Sequence, residues 1–137
     1  MSDSVLEKFV TNPLRERLLA DHHDELESGD AHGAFGFLRG PRERAIMLEL
    51  RKKTGDVRAI GYAWLQRMEF DPSGSITLLG AGEEVRILGR NLNSGLGSNL
   101  PLFQGLVRQR VLWVQEADVG TSLQAGKDDT VIERIEW

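Results

Sequence analysis

Apolar residues recur at helical spacing near the start of the chain, and the spacing changes from Ala34 onward. In "SDSVLEKFVT" (2–11), capping residues precede Val5, Leu6, Phe9 and Val10, which share one helical face. Asn12 and Pro13 then suit an N-cap and a first helical position. The spacing predicts a second helix from Pro13 to about Glu27, stopped by Gly29.

The period changes to two from Ala34 onward. In "RAIMLELRKK" (44–53), Ile46, Leu48 and Leu50 face one way, and Met47, Glu49 and Arg51 the other. "KTGD" (53–56) is a tight-turn signal. "VRAIGYAWLQRMEF" (57–70) predicts one long strand. Ile60, Tyr62 and Trp64 line one face and Val57, Ala59, Ala63 and Leu65 the other, so both faces are apolar and the strand is expected to be central. "DPSG" (71–74) predicts a turn, with Pro72 preset for its second position. "SITLLG" (75–80) and "EVRILG" (84–89) are short strands joined by "AGE".

After a polar loop, "NLNSGLGSN" (91–99), comes a helix in "NLPLFQGLVRQR" (99–110), with Leu100, Leu102, Phe103, Leu106 and Val107 on one face. "VLWVQE" (111–116) and "TVIERIEW" (130–137) read as strands, with Val131, Ile135 and Trp137 in phase. "DVGTSLQAGKDD" (118–129) between them is a loop with room for one helical turn. The expected fold class is therefore α+β: two N-terminal helices, a four-stranded antiparallel meander, one helix and two further C-terminal strands, around a single-sheet core. Residues 1–137 are expected to form one domain, with no repeat or linker dividing them.

Composition narrows the chemistry. The chain has no cysteine, which removes disulfides, thiolate metal sites and thiol nucleophiles. Its start is acidic and lacks a signal-peptide pattern, and no apolar run is long enough to cross a membrane, so a cytoplasmic location is expected. The net charge of −4 disfavours a nucleic-acid partner. Residues 1–38 hold three Lys/Arg and eight Asp/Glu, whereas residues 39–58 hold seven and three. This asymmetry is expected to serve attraction within one molecule or between subunits.

"LADHHDELESGDAHG" (19–33) concentrates three histidines among carboxylates. On a helical wheel His22 falls inside the stripe of Leu14, Leu18, Leu19 and Leu26, while His23 lies about 100° away. The two rings diverge and do not share one ion, and the zinc-protease spacing is absent. The metal alternative uses Asp21, His22 and Glu25, completed by His32. Against it, a histidine in a leucine stripe is ordinarily core.

The loop at 91–99 resembles an anion cradle only in its exposed amides, because the dinucleotide and P-loop fingerprints are missing. Arg39, Arg42, Arg44, Lys52 and Lys53 form a candidate anion patch. Tyr62 and Trp64 are candidate base-stacking aromatics whose simpler role is core packing. No serine sits in a nucleophile elbow. No catalytic, cofactor or metal residue is assigned. The expected function is non-catalytic, through protein–protein contacts or self-association as a homodimer, with the C-terminal strand as a pairing edge.

Overall fold

The computed structural model describes residues 27–29, 33–94 and 100–137, and its regular structure is mostly strand. The elements run β1 (Glu27–Gly29), β2 (Phe35–Leu38), β3 (Met47–Arg51), β4 (Val57–Gly61), a 3-10 turn (Tyr62–Trp64), β5 (Arg67–Asp71), β6 (Ser75–Gly80), β7 (Glu83–Arg90), α1 (Leu102–Val107), β8 (Val111–Gln115), α2 (Val119–Gln124) and β9 (Val131–Glu136). They build two sheets. Sheet one has the order β1-β2-β8-β3-β4, and sheet two the order β5-β6-β7-β9.

This corrects the α+β, single-sheet expectation. The expected four-stranded meander divides after β4. β3 and β4 form an antiparallel hairpin in sheet one, and β5, β6 and β7 form a meander in sheet two. The long strand expected over 57–70 is two strands in different sheets, separated by the turn at Tyr62–Trp64. β4 is an edge of sheet one, where a central position was expected. Local alternation shows that a segment is extended, but not which sheet it joins. Most of the expected N-terminal helices, residues 1–26, lies outside the described residues. Glu27–Gly29, where the second helix was to end, is a strand paired antiparallel with β2.

The turns form where the sequence places them. Gly55 N donates to Lys52 O, and Gly74 N donates to Asp71 O. Ala81 and Gly82 both have positive φ, 52° and 78°, as a type I′ hairpin turn between β6 and β7 requires. α2 starts at Asp118, whose carboxylate accepts the Thr121 N–H at 2.7 Å. That bond, with help from the Thr121 hydroxyl, holds the Asp118 carboxyl below the usual range.

One apolar cluster draws on both sheets. Sheet one supplies Phe35, Phe37, Leu48, Leu50, Val111 and Val114; sheet two supplies Ile76, Leu78, Val85, Ile87, Ile132 and Ile135; α1 adds Leu102 and Leu106. The β7–β9 register shifts between Leu88 and Gly89. Val131 and Ile132 are consequently both buried, where alternation alone predicted Val131, Ile135 and Trp137 in phase. Non-local pairing closes sheet one, since β8 runs parallel to β3 and antiparallel to β2.

Two side chains fasten distant segments. Glu116 is only 6% exposed. One of its oxygens accepts the Lys53 N–H at 2.9 Å and the other accepts the Ile135 N–H at 2.7 Å. It thereby ties the β3–β4 turn of sheet one to β9 of sheet two. Arg110, also buried, donates to the carbonyls of Leu38 and Arg39 and so fixes the exit of β2.

Candidate functional site

Among the described residues the two sheets end in four edge strands, and an edge strand offers unpaired backbone groups to another chain unless something blocks it. β1 (Glu27–Gly29) is paired with β2 on one side. β5 carries Arg67, Glu69 and Asp71 on its exposed face, and Arg67 pairs with Glu69 at 3.0 Å. β9 carries Glu133, Arg134 and Glu136, engaged with Arg90 and with one another. It is an edge, as expected for the C-terminal strand, but a charged one.

β4 has no such protection. Its alternate residues Val57, Ala59 and Gly61 point to the outer face and are uncharged. Its one charge, Arg58, lies opposite Leu50 and therefore on the core-facing side. There the guanidinium donates to Glu83 at 3.3 Å and stacks 5.0 Å from the Trp137 ring centre. Among the described residues, no strand pairs with the outer side of β4.

The turn after β4 aims two aromatic side chains in opposite directions. Tyr62 N donates to Ile46 O at 3.0 Å, which starts the turn. The Tyr62 ring goes inward, and its hydroxyl donates to Val111 O at 2.7 Å. Burial raises the Tyr62 phenol above its ordinary range, so it keeps the proton it donates. Trp64 goes outward and is 67% exposed. Its ring lies over Gly61, where a Cβ would come within 2.8 Å of it and within 3.6 Å of the Met47 sulfur. A larger residue there would push the indole from its place.

Beside this edge is a cleft of about 580 Å³ between β4 and the β6–β7 hairpin. Ile60, Leu65, Leu78 and Val85 line its apolar part, Met47 and Trp64 also border it, and Arg58 and Glu83 are its ionisable members. These two neutralise each other as an ion pair. The cleft therefore has size and apolar surface, and among the described residues Arg58 and Glu83 are the ionisable groups that line it. Its neighbourhood also exposes Ile46 (82%), Met47 (45%) and Val57 (56%). Clustered exposed apolar side chains of this kind mark interaction surfaces.

The structure separates most of the sequence candidates. Asp21, His22, Glu25 and His32 lie outside the described residues, as does His23. Among the described residues no three His, Asp or Glu side chains converge. The basic segment does not form one patch. Arg39, Arg42 and Arg44 precede β3, whereas Lys52 and Lys53 follow it, about 17 Å along a five-residue strand. Arg44 donates to the carbonyls of Pro41 and Glu43, and Lys52 sits 4.1 Å from the Trp137 ring centre. The start of the 91–99 loop is anchored, because Asn91 Nδ2 donates to the carbonyls of Lys127 and Asp129; residues 95–99 lie outside the described residues. Tyr62 and Trp64 do not share a face. The open edge of β4 was hidden by the long-strand reading, and its one signal was that strand's two apolar faces. The chain matches no protein-family model, no curated protein and no solved structure.

Proposed function

We propose that the protein is a non-catalytic docking domain that takes an extended segment of a protein along β4. The observation that carries this reading is the uncharged outer row of Val57, Ala59 and Gly61, which ends at the exposed Trp64 beside an apolar cleft. An added strand gains backbone hydrogen bonds from the edge, while its alternate side chains choose between the cleft and the outer face. A tryptophan at such a position is the residue type that most often dominates binding energy. A cytoplasmic setting belongs to the same proposal and is supported by the lack of cysteine. No helix among the described residues is long and apolar enough to cross a membrane.

The test is a displayed random-peptide library panned against the protein. Enriched peptides are expected to show alternating apolar residues and to lose at least tenfold in affinity on Trp64→Ala. Leu123→Ala, which removes an exposed side chain on α2, is expected to leave their binding unchanged. Failure to enrich any peptide, or binders indifferent to Trp64→Ala, contradicts the reading.

A further inference from the structure

We infer that the segment taken by β4 is β4 of a second copy, paired antiparallel about a two-fold axis at Ala59; this rests on the docking reading above. A two-fold contact uses the same patch on both partners, and facing residues of an antiparallel pair point to the same side, so the pair must be centred on one residue. Centring the five-residue strand on Ala59 gives full overlap: Val57 faces Gly61 of the other copy, Arg58 faces Ile60, and Ala59 faces Ala59. Centring on Arg58 sets like charges opposite each other, which is unfavourable. Centring on Ile60 leaves Val57 beyond the partner's strand.

The Ala59 register also matches the exposed surfaces. Val57, Ala59 and Gly61 lie on one face, and the Trp64 ring covers Gly61 on that face. Residues directly opposite across an antiparallel pair point to the same side. Each exposed Val57 therefore falls beside the other copy's exposed Trp64, and the contact occurs twice. Each Arg58 remains on the core-facing side, paired with Glu83 of its own copy, so the axis itself is free of charge. β5 and β9 carry charged side chains along their edges, the usual guard against edge-to-edge pairing, whereas the outward row of β4 carries none.

The absence of cysteine makes the test direct. Ala59→Cys introduces a single thiol at the axis, where facing Cα atoms about 4.5–5.5 Å apart suit a disulfide. Mild oxidation is expected to link this variant as a dimer, while Val119→Cys, on the exposed face of α2, stays unlinked at equal concentration. Ala59→Lys places two ammonium groups against each other and is expected to weaken the dimer at least tenfold in sedimentation equilibrium. Its melting temperature measured at a concentration where both proteins are monomeric should be unchanged, since Ala59 is exposed. A wild-type protein that stays monomeric at millimolar concentration overturns the inference. So does a dimer that Ala59→Lys does not weaken and Ala59→Cys does not link. If the protein is monomeric but retains Trp64-dependent peptide binding, only the second copy is rejected; if that binding is also absent, the docking reading fails with it.

Discussion

Replacing Glu116 by alanine is expected to lower the melting temperature by roughly 10–20 °C. Each oxygen of this buried carboxylate accepts a backbone N–H, one from Lys53 and one from Ile135. Removing the side chain leaves both donors without their partner, at a cost of roughly 1.5–3 kcal/mol each for bonds to a charged acceptor. The sum, about 3–6 kcal/mol, is a large part of the stability of an ordinary domain. Glu116→Gln is the informative companion. It keeps one oxygen that can accept and turns an NH2 toward the other donor, so an intermediate loss is expected. Thermal melts of the three proteins check this; a Glu116→Gln variant as stable as wild type contradicts the two-acceptor role.

The second large effect is expected at Gly89. A Cβ there would collide with the carbonyl oxygen of Val131, a backbone atom of β9 that cannot swing aside. On the other side, Gly89 N donates to Gly74 O at 3.0 Å, which holds the residue against the turn before β6. Gly89→Val therefore has to displace β9, whose Ile132 and Ile135 are buried, and is expected to cost about 3 kcal/mol. Gly82 provides the contrast. Its φ is +78°, but a Cβ there meets nothing within 4 Å. Gly82→Asn, a residue that tolerates this left-handed conformation, is expected to change stability by less than about 0.5 kcal/mol. Denaturant unfolding of both variants measures the difference, and equal losses would contradict the steric argument.

Local chemistry was legible in the sequence, whereas the assignment of strands to sheets was not. The turns at "KTGD", "DPSG" and "AGE" appear where glycine, proline and aspartate place them. The strands around Leu48, Ile76, Val85 and Val114, the helix at Leu102–Val107 and the helical turn at Val119–Gln124 follow from short-range patterning. The break at Tyr62–Trp64 escaped because alternation continues through it. Tyr62 packs inward and Trp64 outward, although a single strand would place both on one face. β2 was missed because Phe35 and Phe37 flank Gly36, and a Cβ at that glycine would strike the Trp113 ring. That contact belongs to the distant strand β8. The parallel β3–β8 pair likewise depends on partners more than sixty residues apart. Glu116 carried no sequence signal, since both of its hydrogen-bond partners are backbone groups.

The central claim is that β4 is the edge through which two copies of this protein pair. Backbone hydrogen exchange followed from low to high protein concentration tests it most directly. The account predicts that the amides of Val57, Ala59 and Gly61, which point away from β3, gain protection as concentration rises, while those of β5 and β9 do not change. New protection on β5 or β9 with none on β4, or no dependence on concentration anywhere, would contradict it.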